Sequence, residues 1–302
     1  MGIAYSQEEL SFLLENYSNY GAQYCASKTG RSLNSILIKA NRMGLKLSDK
    51  CYKRIKNAAA KNRKKRDFKY KVPAKNFISN ITPESAYILG LLWADGCVRI
   101  TKANTASIKI ESISKDMKEY CPIFKKTGSW GRYTRQRQGW QETTSLFTSN
   151  RPLANYLIQN GYKANNKDAS LILRLIPNEL LHYWFLGLTD GDGSWYANPK
   201  THQKQFSISS HINQNWCYLT NQLELLNIID YKSYASKNTK GAGSAVELKT
   251  YHDLIIWGNF VYKDYNINKI GLNRKYKIFE IIKDMYYVAL KKKQYNGYMK
   301  KI

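Results

Sequence analysis

Two apolar runs that each end in an acidic residue constrain the fold more than any other feature of the sequence. The run "ILGLLWADG" occupies residues 88–96, and the run "FLGLTDGDG" occupies residues 185–193. A shift of 97 residues superposes their central glycines and their final Asp-Gly pairs. A single Asp-Gly pair is a common turn dipeptide, but two matched copies after matched apolar segments indicate an internal repeat. We therefore predict a first repeat at residues 81–175 and a second repeat at residues 176–302.

Each apolar run is predicted to be a buried helix that packs against the other. The segment "AYILGLLWA" has no polar side, so a helix there must be covered on all sides. Gly90 and Gly187 stand in mid-helix, where glycine costs about 1 kcal/mol of helix propensity but would let two backbones cross closely. Thr82 and Pro83 predict the start of the first helix, and Pro177 precedes the second. The glycine after each aspartate is expected to take the left-handed conformation that ends many helices.

The segments after each run alternate between apolar and polar residues, as half-buried strands do. Residues 106–112, "ASIKIES", and residues 245–251, "AVELKTY", both show this pattern. The polar face of the first segment carries Ser107, Lys109 and Glu111. Residues 130–147 turn near Gln138 and Gly139 and predict a basic hairpin. The basic residues of this hairpin are Arg132, Arg135 and Arg137.

The predicted fold class of residues 81–302 is α+β. Each repeat contains a helix, then antiparallel strands, then further helices, which differs from the strand-helix alternation of a parallel sheet. A small all-α domain is predicted to precede the two repeats. The expected architecture is therefore a duplicated, pseudo-two-fold domain with two antiparallel sheets around a central helix pair.

Residues 1–50 are predicted to form the preceding domain, from three short helices. Ser6 and Glu9 form a capping box for the first helix, Ser32 caps the third, and Gly44 ends it. The side chains expected to face its core are Leu33, Ile36, Leu37 and Ala40. The outer face of the third helix carries Asn34, Ser35, Lys39 and Arg42. This segment resembles a Myb-like helix-turn-helix that would place its third helix in the DNA major groove, whereas the alternative is a three-helix bundle with a solvated charged face.

The charge of the chain predicts a polyanionic partner. There are 48 basic and 22 acidic residues, which gives a formal net charge of +26. Nucleic acid is the first expectation, ahead of an anionic membrane surface. Residues 51–80 hold eleven basic residues and one acid, so we predict a basic linker there that lies along phosphates. Its candidate phosphate contacts are Lys64, Lys65 and Arg66.

Cysteine and histidine are scattered in the sequence. The five cysteines form no C-x-x-C pair, and the four histidines are equally far apart, so neither a zinc site nor a disulfide framework is predicted. No apolar run approaches the length of a bilayer span, and the first ten residues lack the layout of a signal peptide. These features predict an intracellular, reducing compartment and no membrane partner.

The two nine-residue runs resemble the motif of LAGLIDADG homing endonucleases, here with two motifs in one chain, and the likeness extends over about residues 82–290. The resemblance implies that the motif helices join two pseudo-symmetric halves and that the sheets form a saddle over the major grooves of DNA. It also implies that the last acid of each motif, Asp95 and Asp192, coordinates divalent metal at the scissile phosphates. Trp93 departs from the motif, because it replaces an earlier acid that the second run keeps as Asp190.

A physical argument supports a metal at these acids. A carboxylate at a helix C-terminus faces the negative end of the helix dipole, which costs roughly 0.3 to 1 kcal/mol. Two such carboxylates at one helix pair would also repel each other. Mg²⁺ or Mn²⁺ would relieve both penalties, because these ions prefer oxygen ligands.

Further site residues follow from the resemblance. The family usually has one basic residue per half that orders water in the active site, and Lys167 and Lys275 occupy comparable places. Glu111 and Ser210 fall near an additional polar position on the second strand of each sheet. In the second repeat, Lys232 and Lys249 are further candidates for DNA contact.

The sequence therefore predicts a monomeric, metal-dependent DNA endonuclease that cuts both strands of a long target. Two alternatives remain open at this point. A transcription regulator could use a decayed endonuclease fold, although loss of the metal-binding acids would mark it and both acids are present. An intron maturase would bind structured intron RNA through the same basic surface.

Overall fold

The computed structural model of the chain divides it into two compact units, Met1–Phe68 and Lys69–Ile302. The residues that the structure describes are 4–58, 71–101, 105–136, 138–162, 167–238 and 241–299. Four of the predicted DNA-contacting residues lie outside them, namely Lys64, Lys65, Arg66 and Arg137. Across the described ranges, no helix is both long enough and apolar enough to cross a lipid bilayer.

The amino-terminal unit is all-α over its described residues. Its helices are α1 (Gln7–Tyr20), α2 (Ala22–Thr29), α3 (Leu33–Arg42) and α4 (residues 49–58). The predicted caps are confirmed: Ser6 and Glu9 form the reciprocal capping box of α1, and the Ser32 side chain accepts a hydrogen bond from the Ser35 N–H at the start of α3. The buried core consists of Leu13, Tyr17, Cys25, Ile36 and Ala40.

Two features of this unit differ from the sequence-based expectation. Leu33 and Leu37 were expected in the core but are 46% and 43% exposed, because a core this small covers only the Ile36–Ala40 line of α3. The predicted basic linker began at residue 51, yet residues 49–58 are helical and Cys51 is buried. Like charges on an exposed helix face are tolerated when the opposite side packs, so charge alone did not define the linker.

The end of the predicted linker also belongs to a folded unit. Helix α5 spans Lys75–Ile78, and both Val72 and Phe77 are buried in the core of the carboxy-terminal unit. The Ser129 N–H donates to the Lys71 carbonyl. Both ends of the predicted linker, residues 51–58 and 71–80, therefore belong to the folded units.

The carboxy-terminal unit contains two repeats with the same order of elements, apart from a further helix at the end of the second, which confirms the predicted duplicated α+β fold. The first repeat contains α6 (Pro83–Asp95), β1 (Gly96–Ile100), β2 (Ala106–Ile113), α7 (Ser114–Thr127), β3 (Gly131–Arg135), β4 (Thr143–Thr148), α8 (Arg151–Gln159) and α9 (Ser170–Leu173). A 3₁₀ turn at Asn178–Leu180 then leads into the second repeat. That repeat contains α10 (Leu181–Asp192), β5 (Gly193–Asn198), β6 (Gln203–His211), α11 (Cys217–Leu225), β7 (Lys232–Asn238), β8 (Gly241–Leu248), α12 (Tyr251–Val261), α13 (Tyr265–Asn268) and α14 (Asn273–Met299).

The two sheets have equivalent topology. Their strand orders are β1-β2-β4-β3 and β5-β6-β8-β7, and all neighbouring strands are antiparallel. One face of each sheet packs on the core, as shown by the buried Ile108, Ile110 and Leu146 in the first sheet. We call the opposite faces the first open face (Lys109, Glu111, Tyr133, Arg135, Thr143 and Ser145) and the second open face (Gln205, Ser207, Ser209, Lys232, Tyr234 and Glu247).

Helices α6 and α10 pack against each other at their glycines, as predicted. A Cβ atom added to Gly90 would overlap the Trp184 carbonyl oxygen, and one added to Gly187 would overlap the Tyr87 carbonyl oxygen. These two contacts are related by the same 97-residue shift as the motifs, so the helix pair has local two-fold symmetry. Nearly every side chain of both helices is buried, as their apolar sequences require.

The glycines that end the motif helices are required because a side chain would not fit there, not because of an unusual backbone conformation. Gly96 has φ −73° and ψ 151°, and Gly193 has φ −78° and ψ 146°, so the predicted left-handed conformation is wrong for both. Each glycine instead begins a strand directly after the helix. A Cβ on Gly193 would lie 2.5 Å from the Thr189 carbonyl oxygen, and a Cβ on Gly96 would overlap the Leu92 carbonyl oxygen. Only glycine fits this abrupt change from helix to strand.

We expect Gly90→Ala and Gly187→Ala each to lower the free energy of unfolding by about 3 kcal/mol or more, because the new methyl group must push two backbones apart. Urea denaturation followed by circular dichroism would measure this effect. Gly243→Ala is the control, since its new Cβ would meet nothing closer than 3.3 Å. Equal stability of the Gly90 and Gly243 variants would show that the helices do not cross closely at Gly90.

Candidate active site

Asp95 and Asp192 lie at the meeting point of the two motif helices. They are the last residues of α6 and α10, and the packing at Gly90 and Gly187 brings the two helix ends together. A Cβ on Gly191 would lie only 3.4 Å from Oδ2 of Asp95. The side chain of Asp95 is exposed and that of Asp192 is half-buried. The two predicted metal-binding carboxylates are therefore close together and accessible.

Both carboxyl groups have raised pKa values. Protein atoms displace water around Asp95 and raise its pKa, although the charges of Lys275 and Lys167 oppose the shift. The same desolvation, together with the negative charge of Asp95, raises the pKa of Asp192 from 3.8 to about 7. Among the described residues, neither carboxylate forms a hydrogen bond or an ion pair. The site thus holds two unpaired acids in an environment that disfavours their charge.

Lys167 and Lys275 bind the main-chain carbonyls at the ends of the motif helices. The Lys167 ammonium donates to the carbonyls of Trp93 (2.7 Å) and Ala94 (2.6 Å). The Lys275 ammonium donates to those of Thr189 (2.9 Å), Asp190 (2.7 Å) and Gly193 (2.5 Å). Each lysine therefore caps the helix of its own repeat, where carbonyls lack helical partners and a cation is favoured.

The two lysines are themselves in desolvated positions. Lys275 is only 4% exposed. Burial lowers the pKa of both lysines, while nearby aspartates oppose that shift. Their hydrogen bonds go to carbonyl oxygens, so their charge stabilises the helix ends without neutralising either carboxylate by direct contact.

The donor set at this site fits Mg²⁺ or Mn²⁺ that completes its shell with water and phosphate. Within the described residues, no group of three or more His, Cys, Asp or Glu side chains could hold a metal ion. Magnesium is commonly bound through one or two carboxylates plus substrate phosphate, whereas structural zinc needs about four protein ligands. Two accessible, unpaired carboxylates of raised pKa match the first arrangement.

Asp190, the acid that Trp93 replaces in the first motif, is buried and does not join the two terminal aspartates. Its Oδ2 accepts hydrogen bonds from the Tyr87 hydroxyl (2.8 Å) and the Leu272 N–H (2.8 Å). Burial raises its pKa to about 6, although Lys275 and these two donors oppose the shift. Asp190 thus connects α6 of the first repeat with the segment that precedes α14.

A glutamate organises the first open face. Glu111 accepts hydrogen bonds from Arg135, from Thr143 (3.3 Å) and from Ser145 (3.0 Å), and it forms an ion pair with Lys109 at 2.5 Å. Burial alone would raise the pKa of Glu111, but the bonds from Lys109, Arg135 and Ser145 lower it to about 2. Three predicted DNA-contacting residues, Lys109, Glu111 and Arg135, therefore meet on this face.

The second open face has a similar cluster that the sequence did not single out. Glu247 accepts from Tyr234 (2.9 Å) and Gln205 (3.1 Å) and forms an ion pair with Lys249 at 2.8 Å. Lys232 is its cross-strand partner. Lys232 and Lys249 were predicted to contact DNA, whereas the sequence analysis did not single out Glu247, Gln205 or Tyr234 on the same face. The alternation of "AVELKTY" could have placed Glu247 on this face.

Two predicted residues lie on the opposite sides of their sheets. Ser210 shares the packed face with Phe206 and Ile208, so it does not lie on the second open face as the prediction required. Ser209 occupies the position equivalent to Glu111, because Ile110 pairs with the first residue of β1 and Ile208 pairs with that of β5. Arg132 pairs with Leu146, so it is exposed at the sheet edge on the face opposite to Arg135.

The predicted contact residues of α3 lie partly on one surface of the amino-terminal unit. Asn34 and Arg42 are exposed, and Ser35 is half-buried with its hydroxyl 2.8 Å from that of Tyr5. The Lys39 ammonium lies 5.5 Å from the centre of the Tyr5 ring. Ser35 and Lys39 thus already have partners within the unit, which leaves Asn34 and Arg42 most accessible.

Solved structures of similar fold include LAGLIDADG homing endonucleases. I-LtrWI bound to target DNA is 16% identical, with 68% of this chain and 91% of that protein covered and a TM-score of 0.39. I-WcaI bound to its DNA recognition sequence is 17% identical, with coverage of 68% and 91% and a TM-score of 0.45. I-SmaMI bound to uncleaved DNA in the presence of calcium ions is 15% identical, with coverage of 72% and 93% and a TM-score of 0.41. No protein-family model and no curated protein matches the chain.

The raised pKa of Asp192 predicts how stability depends on pH in the absence of metal. Between about pH 4 and pH 7 the unfolded chain loses this proton before the folded protein does, so the contribution of Asp192 to the free energy of unfolding falls as pH rises. Asp192→Asn is free of this effect and should be more stable than the wild type at pH 8, by on the order of 2 kcal/mol after allowance for solvent contact.

Urea denaturation of both proteins at pH 4 to 8 in EDTA would measure the difference between them. Asp284→Asn removes the same charge from an exposed position on α14 and serves as control. A wild type and an Asp192→Asn variant with parallel pH profiles would mean that the carboxyl group is not held in a desolvated state.

Proposed function

We propose that the chain is a LAGLIDADG-type homing endonuclease that makes metal-dependent double-strand cuts at a specific site in DNA. The observation that carries the proposal is the pair of unpaired carboxylates, Asp95 and Asp192, held together at the ends of two crossing helices. Raised pKa values at both acids are typical of a functional site rather than of a stabilising one.

The residues of the chain have distinct parts in this reaction. Asp95 and Asp192 would hold Mg²⁺ or Mn²⁺ together with the scissile phosphates. Bound metal of this kind supplies an activated water and neutralises charge on the phosphate and on the departing 3′-oxygen. Lys167 and Lys275 add positive charge beside the two acids and fix the helix ends through their bonds to main-chain carbonyls. The duplicated arrangement provides one acid and one lysine for each DNA strand.

The open faces of the two sheets are the proposed DNA-contacting surfaces. A pair of antiparallel strands fits the major groove, and Arg, Lys, Gln and Glu side chains can contact base edges there. Each face centres on one glutamate that holds basic or amide side chains in fixed positions, Glu111 on the first and Glu247 on the second. These contacts reduce the rearrangement needed on binding, and the positive charge of the chain favours association with phosphate.

Binding of DNA by the amino-terminal unit is part of the proposal. The unit is a compact all-α domain with basic and amide side chains exposed on α3, and it contributes neither of the two acids. A second DNA-binding module on the same chain raises the local concentration of the first at its site. The amino-terminal unit should therefore increase affinity and lengthen the bound DNA without contributing chemistry.

The most direct test is selection of cleaved molecules from a randomised DNA library. We expect recovery of a long site, cut on both strands, in Mg²⁺ or Mn²⁺. Parallel incubation in Ca²⁺ shows whether binding is separable from cutting. Binding without cleavage under every divalent ion would instead favour a DNA-binding regulator, and binding to structured intron RNA alone would favour a maturase.

On the recovered site, Asp95→Asn or Asp192→Asn should reduce double-strand cleavage by about 100-fold or more, the scale expected when a stabiliser of transition-state charge is removed. DNA affinity in Ca²⁺ should change little, because asparagine preserves the shape of the side chain. Asp284→Asn is again the charge-matched control. Cleavage at the wild-type rate by the Asp95→Asn/Asp192→Asn double variant would remove both acids from the reaction.

A chain that begins at Lys69 should cut at the same position as the full chain. It retains Val72 and Phe77, which belong to the core of the carboxy-terminal unit. It should bind more weakly, protect a shorter stretch of DNA, and show a shallower dependence of log affinity on log salt, by about 0.9 for each phosphate that the shorter chain no longer binds. Footprinting and salt titration measure these effects, and identical footprints and slopes would assign the amino-terminal unit to another partner.

A further inference from the structure

The segment that carries Lys275 is held by three carboxylates in succession. The Leu272 N–H donates to Asp190 at 2.8 Å, and the Asn273 N–H donates to Oε2 of Glu119 at 2.7 Å. Arg274 forms a bidentate ion pair with Asp116, at 2.9 Å and 2.6 Å. Lys275 follows directly and binds the end of α10. Each of the three residues directly before Lys275 is therefore fixed by a different acid.

Two of these acids come from the other repeat. Asp116 and Glu119 lie on α7 of the first repeat, whereas Asn273 and Arg274 begin α14 of the second. Free N–H groups and the positive dipole end at a helix N-terminus favour carboxylates, so α7 supplies what the start of α14 requires. Asp116 is buried while the Arg274 side chain is 44% exposed, so this partly buried ion pair is screened by salt less than a fully exposed pair would be. We call Asp116, Glu119 and Arg274 the α7–α14 latch.

The first repeat has a reciprocal contact of different chemistry. The Gln214 amide donates to the main-chain carbonyl of Lys167 at 2.7 Å. Gln214 lies in the second repeat, between β6 and α11. The corresponding place in the first repeat is the start of α7, which follows β2. Each lysine segment is thus held by residues of the opposite repeat. For Lys275 these contacts are a bidentate ion pair and a carboxylate, and for Lys167 the contact is one amide.

We propose that Asp116 and Glu119 are positioning residues that hold Lys275 at its half of the active site and so set the cleavage rate of one DNA strand, while Gln214 does the same for Lys167 and the other strand. This proposal rests on the proposed endonuclease function. It follows from where the latch residues lie. Among the described hydrogen bonds none joins a latch residue to Asp95 or Asp192, but the latch fixes the residues directly before Lys275. A shift of α14 by a fraction of a helical turn would move the ammonium away from all three of its carbonyl acceptors.

The test compares the cutting of the two strands. Each strand of the selected target is labelled separately, and rates are measured with enzyme in excess so that binding does not limit them. Asp116→Asn replaces a carboxylate oxygen with an amide that faces the Arg274 donors, and it should change the ratio of the two strand rates by about tenfold or more, since small misplacements of catalytic groups have effects of this size. Gln214→Ala should change that ratio in the opposite direction.

Conservative variants separate positioning from general stability. Glu119→Gln keeps an acceptor for the Asn273 N–H and should retain a wild-type strand ratio, whereas Glu119→Ala should not. Glu280→Gln weakens the ion pair between Glu280 and Lys283 within α14 and should leave the ratio within about twofold, as for most surface pairs. Urea denaturation of each variant shows whether it is folded under the assay conditions.

The possible outcomes are distinct. Opposite strand biases for Asp116→Asn and Gln214→Ala support the proposal. Equal slowing of both strands by Asp116→Asn, or the same bias from both variants, would overturn it and assign the latch to stability alone. If the wild type cuts neither strand of any selected DNA, the proposed function itself fails.

Discussion

The close contact of α6 with α10 at Gly90 and Gly187 is the constraint on which the carboxy-terminal unit depends. Two backbones that meet without intervening side chains fix the helices along their length, and both helices must then be covered by the sheets and outer helices of their repeats. The same contact brings both helix ends to one place. Because a strand begins at the glycine directly after each terminal acid, each sheet starts at the site, and no loop of variable shape separates the acids from the surfaces proposed to bind DNA.

Electrostatics at this meeting point works against stability. Two carboxylates lie at the negative ends of two helix dipoles. Desolvation raises the pKa of both, and the charge of Asp95 raises that of Asp192 further. Lys167 and Lys275 could have reduced this cost by pairing with the acids, but their hydrogen bonds go to main-chain carbonyls. The helix ends are thus stabilised while the acids stay unpaired. A site that leaves charge uncompensated in the free protein is ready for a cation, and it has this property at a cost in stability.

The features that the sequence predicted correctly are those that depend on short-range patterns. The repeat, the buried glycine-containing helices, the terminal acids and the alternation that places Lys109 and Glu111 on one face all depend on spacing within one element. Alternation could also have distinguished Ser209 from Ser210, had it been counted from the buried Phe206. Helix periodicity could not show that a small core leaves Leu33 and Leu37 exposed. Nor could it find the pair of Asp116 with Arg274, whose partners are 158 residues apart and meet only through the fold.

The two repeats differ in the way that each fixes its own lysine. Trp93 and Asp190 are equivalent by the 97-residue shift, and so are their partners, Trp184 and Tyr87. Trp93 packs edge-on against Trp184, with ring centres 6.2 Å apart, whereas Asp190 accepts a hydrogen bond from Tyr87. Trp93 also contacts Tyr162, whose ring lies 5.2 Å from the Lys167 ammonium. The first half is therefore fixed largely by aromatic packing and the second by carboxylates. A duplicated chain permits this difference, because a substitution in one repeat leaves the other unchanged, whereas in a homodimer every substitution would alter both sites.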